Sequence, residues 1–176
     1  MRFSLKNVIT KTKISLAQSL LLLILDYADV CYPDLTMELL NKLERLQNLC
    51  IRFIFGLRKF DHVSTYRSKL QWLPIRRRRD CHMLSLLYSV LFNSNAPPFL
   101  KDLFVFHSIT LSQNLRSSKS LSLNMPSHST DFYSESFTVQ AIRLWNNLPE
   151  YIRRAPSAES FKMRIKTHYL STVSSS

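Results

Sequence analysis

The stretch DLTMELLNKLERLQNLCIRFIFGL, Asp34–Leu57, decides how the rest of the chain is read. Leu39, Leu43, Leu46, Cys50, Phe53 and Leu57 return every three or four positions, the spacing that puts side chains on one face of an α-helix. Asp34 offers the short side chain that caps a helix start. Gly56 stands where the helix should stop, because glycine adopts the left-handed conformation of a helix end without a Cβ penalty. Gly56 is also the only glycine in 176 residues. Antiparallel sheets and tight hairpins use glycine freely at positive φ, so the chain reads as mainly α.

Upstream, a helix is expected from Lys6 to Ala28, with Leu16, Leu20, Leu23 and Tyr27 at helical spacing. It is apolar nearly all round toward its end and should therefore be buried on several sides. Arg2, Lys6, Lys11 and Lys13 ahead of ISLAQSLLLLIL give it the polarity of a signal peptide. Gln18 and Ser19 interrupt that segment, however, and DYADVC follows where a small-x-small cleavage site belongs. The uninterrupted run, Leu20–Leu25, also falls short of the about 20 apolar residues that a bilayer requires.

Downstream, KFDHVS and QWLP break the chain around a short helical turn, Thr65–Leu70. A third helix is expected over Ile75–Phe92 with Cys81, Leu84, Tyr88 and Leu91 inward. The prolines of NSNAPPFL mark an internal boundary, dividing a helical domain, residues 1–93, from a C-terminal extension, residues 94–176. The extension opens on a Ser-rich loop whose alternating SLSLNM is the best strand candidate, leaving room for one short hairpin. Phe137, Ala141, Leu144 and Leu148 then mark a helix ending at NNLP. Ser157 caps a last helix carrying Phe161, Ile165 and Tyr169.

Against 12 acidic residues stand 24 Lys and Arg, a formal net charge of +12 and a pI near 10.0. The natural counterpart of such a surface is a polyanion. One glycine excludes a Walker loop, a dinucleotide fingerprint and a nucleophile elbow, each of which needs several. The histidines are scattered without a metal-protease motif. Cys31, Cys50 and Cys81 lie far apart and fit reduced thiols in an intracellular protein better than a zinc knuckle or disulfide framework. No metal site, cofactor or enzymatic activity is therefore expected. Asp26 and Asp29 in LDYADV resemble half of a two-metal site, but no third carboxylate lies nearby, so they read as solvent-facing groups at a helix end.

The sharpest feature is the run Arg76–Arg79. In a helix beginning at Ile75, Arg77 shares the angular position of Leu84 and Leu91, whereas Arg76, Arg78 and Arg79 fan outward. Cations in a first turn oppose the helix macrodipole, so carboxylates from the protein or phosphates from outside must compensate. Arg77 is accordingly assigned a structural role toward a carboxylate. Arg76, Arg78 and Arg79, together with Lys42, Arg45 and Arg52 along the flank of the Asp34–Leu57 helix, are the candidate nucleic-acid contacts. Arg153, Arg154, Lys162, Arg164 and Lys166 form a second basic cluster. Phe60, Tyr66 and Trp72 lie between basic groups. Trp72, Trp145 and Gly56 are assigned structural roles.

In order along the chain, LLLLILDYADVCYPDL, LLNKLERLQNLCIRFIFGLRKFDHVS, LQWLPIRRRRDCHMLSLLYSVLF, APPFLKDLF and AIRLWNNLPEYIRRAPSAESFKMRIKTHYL resemble the C-terminal part of reverse transcriptases from non-LTR retrotransposons of the jockey and CR1 type. The resemblance implies a helical thumb followed by a post-thumb extension, packing against RNA or an RNA/DNA duplex through a basic face, without sequence specificity. It implies no catalysis, since the palm signature of an aromatic residue, any residue and two adjacent aspartates is absent. Asp26-Tyr-Ala-Asp29 has the wrong order and spacing. The chain then reads as a non-catalytic remnant or fragment, intracellular and more nuclear than cytoplasmic, with no membrane partner. The alternative is an orphan or domesticated protein-interaction module that self-associates, or that docks the missing palm and fingers, through apolar faces they once covered.

Overall fold

The computed structural model describes residues 2–27, 29, 35–107, 121–127 and 130–174. Their helices are α1 (Arg2–Leu16), continued by a π-helical segment (Ala17–Leu22) and α2 (Leu23–Asp26), then α3 (Met37–Phe55), α4 (Ser64–Leu70), α5 (Ile75–Phe92), α6 (Pro98–Lys101), α7 (Asp131–Ser134), α8 (Phe137–Asn146), α9 (Glu150–Arg153) and α10 (Ala158–Ser174). The fold is mainly α, with no strand among the described residues. A single antiparallel bridge joins Phe106 to Leu123, within the SLSLNM segment.

The central element is α5, which packs against α3 on one side and against α8 and α10 on another. Its N-terminal residue follows Pro74, which presets the backbone for helix entry. Leu84, Leu87 and Tyr88 of α5, Ala141, Ile142 and Trp145 of α8, and Phe161, Ile165 and Tyr169 of α10 form one hydrophobic cluster. The Tyr88 ring stacks on Phe161 at 4.4 Å, and its hydroxyl donates to the Ala155 carbonyl at 2.8 Å. Trp145 Nε1 donates to the Leu121 carbonyl at 2.6 Å, so this buried indole leaves no polar atom unpaired. Asn146 holds the same segment by exchanging hydrogen bonds with both the amide and the carbonyl of Leu123. The division expected after residue 93 falls inside this cluster, which runs from Leu73 to Tyr169.

A second cluster gathers Ala17, Leu22, Cys50, Ile51, Ile54 and Trp72. Here α3 is phased one residue away from the expected stripe. Leu40, Gln47, Cys50, Ile51 and Ile54 are buried, whereas Leu39, Leu46 and Phe53 are exposed. The helix is apolar on two adjacent flanks, and the neighbours select the flank rich in β-branched Ile. Its N-cap is Thr36, whose hydroxyl accepts from the Leu39 amide at 3.3 Å; Asp34 lies outside the described residues. Gly56 ends α3 at φ 65°, in the left-handed region.

The first helix departs most from expectation. It continues through Gln18 and Ser19 by way of the π segment, so Val8–Asp26 is one 19-residue helical stretch of mean hydropathy 1.6, long and apolar enough to cross a membrane by length and composition alone. The expected burial on several sides is not found. Ala17 and Leu22 face the second cluster, while Leu16, Leu20, Leu23, Ile24 and Tyr27 stand exposed. Among the described residues it packs along α3 and against the α4 region around Trp72, too little surface to cover a helix apolar all round.

Candidate nucleic-acid interface

Helical geometry sets the basic groups of α3 on one flank. Lys42, Arg45 and Arg52 follow one another at intervals of three and seven, so they align along the helix axis. Lys42 and Arg45 are exposed. Lys42 Nζ pairs with Glu38 one turn earlier at 2.8 Å, an exposed contact of small worth. Arg45 makes no ion pair among the described residues. Arg52 is half-buried and donates to the Asp61 carbonyl at 3.3 Å, which ties the end of α3 to the following loop and takes it out of the flank.

The arginine run divides differently from the expected three outward and one inward. Arg76 is exposed and lies against Met37, in the first turn of α3, which places it beside the N-terminal end of that helix. Arg77, assigned to the interior, is half exposed: it pairs with Asp80 at 3.2 Å and its guanidinium lies over the Tyr169 ring at 5.2 Å. Arg78, assigned to solvent, instead turns inward and closes a two-pronged ion pair on both carboxylate oxygens of Asp26. Arg79 donates to the Asp29 backbone carbonyl at 3.2 Å. The single inner face assumed for this helix fails because α5 is covered from several directions: by α8 and α10, by α3, and at Arg78 and His82 by the end of the first helix.

The reading of Asp26 and Asp29 as solvent-facing is likewise overturned. Asp29 is 8% exposed, and its carboxylate meets His82 Nδ1 at 2.6 Å. Arg78 and His82 lie one turn apart on α5, so the two aspartates of DYAD grip one stripe of that helix. Asp26, with Asp80 of α5 itself, supplies the carboxylates that compensate the cations at the N-terminus of α5, whose first turn holds no acidic side chain. Ligand atoms of Asp26, Asp29 and His82 lie within 4.8 Å of one another, the count of a metal site. Both oxygens of Asp26 are already taken by Arg78, however, so the group is a closed set of ion pairs rather than an open coordination shell.

Below the run, burial dominates the titrations. Desolvation raises Asp80, opposed by its hydrogen bond from Arg77 and by the flanking arginines. The Cys81 thiol is pushed up to about 12, first by burial and then by the Asp80 charge. That thiol is protonated and inert at neutral pH.

The C-terminal basic cluster is largely spent internally. Arg153 is buried, donates to Ser122 Oγ at 2.8 Å, and is lowered by desolvation. Arg154 pairs with Glu150 at 2.7 Å, and Arg164 donates to the Tyr151 carbonyl. Lys162 and Lys166, one turn apart on α10, are exposed and make no ion pair among the described residues. They line a cleft of about 640 Å³ between the first helix, the α4–α5 connection, α5 and α10. Of Phe60, Tyr66 and Trp72, Phe60 is the one freely presented, with Lys59 at 5.6 Å from its ring. Tyr66 packs on Phe55 at 4.8 Å, and Trp72 is 5% exposed.

Sequence reasoning missed Gln47, which is fully buried on α3 and donates to the Leu73 carbonyl at 2.9 Å. It lies at the periodic spacing of Leu40, Ile51 and Ile54, the phase that was not chosen. Comparison with protein-family models, with curated proteins and with solved structures finds no match to this chain.

Proposed function

We propose that the chain is a non-catalytic nucleic-acid-binding module that holds RNA or an RNA/DNA duplex by its phosphates. The observation that carries this reading is a track of cations with little internal compensation: Arg76 against the start of α3, then Lys42 and Arg45 along it, with Glu38 as the acidic partner of Lys42. From Met37 to Arg45 the helix rises roughly 12 Å at 1.5 Å per residue, a span of about three to four nucleotides at 3.4 Å per step along a strand. The net charge of +12 adds a long-range field that attracts a polyanion. Arg52, Arg78 and Arg79 belong to internal contacts in this reading and support the track from behind. The test is a gel-shift titration with a short RNA/DNA hybrid at low salt. Reversing charge at Arg45 and Arg76 together should weaken binding about tenfold or more, while a variant that binds like the parent chain contradicts the reading.

A second reading is favoured by one specific observation, the exposed apolar side chains of neighbouring helices: Leu16, Leu20 and Leu23 on the first, Leu46, Leu49 and Phe53 on α3. Singly exposed leucines are ordinary, but two packed helices each presenting such a row mark a protein contact surface. Light scattering after size exclusion separates the readings. A concentration-dependent oligomer that ignores RNA favours the protein-interaction module.

A further inference from the structure

The cleft beside Lys162 and Lys166 has a chemistry of its own. Its volume, about 640 Å³, lies in the usual range of small-molecule sites. Two helices that pack on each other, α5 and α10, each contribute a pair of side chains one turn apart to its lining: Arg78 and His82 from α5, Lys162 and Lys166 from α10. Asp26 also lines the cleft, but Arg78 spans both of its oxygens, and His82 meets Asp29. Both of these α5 side chains are thereby held by aspartates, which leaves Lys162 and Lys166 as the lysines of the cavity lining, exposed and without an ion pair among the described residues. Leu22, Leu70 and Trp72 add an apolar wall from the first helix and the α4–α5 connection, and the exposed amides of Gln18 and Gln71 supply donors and acceptors. A flat, partly polar body carrying a phosphate matches all three features at once: phosphate against the lysines, ring against the apolar wall, ring edge against the amides.

We propose that this cleft binds a nucleoside monophosphate unit, either as a free mononucleotide or as the phosphorylated end of a strand. This goes beyond the duplex-binding track. Arg45 and Arg76 do not line the cleft, so either site can fail without the other. Trp72 lies in the cavity wall whereas Trp145 is fully buried in the other core, so tryptophan emission reports on occupancy.

The experiment titrates the full chain with adenosine monophosphate, adenosine and inorganic phosphate while following Trp72 emission and, independently, heat of binding. A second arm compares a 5′-phosphorylated with a 5′-hydroxyl single-stranded decamer. Saturable binding of the monophosphate, or of the phosphorylated decamer, at least tenfold tighter than that of its partners lacking phosphate or base is expected. Lys162→Gln with Lys166→Gln should lose that preference tenfold or more, and Lys101→Gln, outside the cleft, should keep it. A lysine-dependent preference in either arm supports the proposal and identifies the source of the phosphate. Equal binding with and without phosphate in both arms, or a preference that survives the double substitution, overturns it.

Discussion

Arg78 reaches across the fold to Asp26, fifty-two residues earlier in the chain, and their partly shielded pair anchors the end of the first helix on α5. Arg78→Ala leaves the Asp26 carboxylate half-buried without its counter-charge, and should cost about 2 kcal/mol by urea denaturation, between the values for exposed and buried pairs. Arg77→Ala loses a half-exposed contact and a ring stack and should cost less than about 1 kcal/mol. Equal losses would contradict this assignment. Gln47→Ala should cost about 1–3 kcal/mol, because the Leu73 carbonyl loses its buried donor. Cys81 gives a pH dependence with a defined sign. Its folded value near 12 lies above the ordinary 9.0, so the stability it contributes is fully present below pH 9 and is lost as pH rises toward 12. Denaturation midpoints should fall over that window and fall less in Cys81→Ala; Tyr88 and Tyr169, also raised by burial, act in the same direction. The local pattern around Arg76–Arg79 revealed a need for counter-charge but not its source, because helical phase carries no information on a partner so distant in sequence.

At the scale of single elements, the boundaries of α5 and the stops at Gly56 and before Pro149 were legible, since capping and chain-breaking residues act locally. Gly56→Ala meets no atom within 4 Å yet holds a left-handed backbone, so the substitution should cost about 1 kcal/mol through conformation alone, measurable by thermal denaturation. The phase of α3 was not legible. Leu39, Leu46 and Phe53 on one flank and Leu40, Ile51 and Ile54 on the next are equally apolar, and only the packing of the first helix and Trp72 decides between them. The burial of the first helix was misjudged for a related reason: apolarity all round measures what a helix could bury, not how much neighbouring surface exists to bury it. Its exposed row beside that of α3 predicts self-association, and Leu20→Glu with Leu46→Glu should shift the chain toward monomer in light scattering.

Across the whole molecule, α5 joins the segments on either side of the proline-rich break at Ala96–Phe99, because its Tyr88 and Phe92 rings lie against Phe161 and Trp145 from beyond that break, and Tyr88, Phe161 and Trp145 share one hydrophobic cluster. Cations follow a similar division of labour. Arg77, Arg78 and Arg79 of α5 and Arg153 and Arg154 at α9 are engaged with carboxylates, carbonyls, hydroxyls or rings, while Arg45, Arg76, Lys162 and Lys166 make no ion pair among the described residues. Composition made the positive field plain, yet the fold decides which charges are spent internally. The salt dependence of RNA/DNA hybrid binding tests the phosphate-track account most directly. With three contacts at Lys42, Arg45 and Arg76, log affinity should fall against log salt with a slope of about −3, and Arg45→Glu with Arg76→Glu should flatten it to about −1. Absence of binding at about 50 mM salt, or a slope unchanged by the double substitution, would contradict the account.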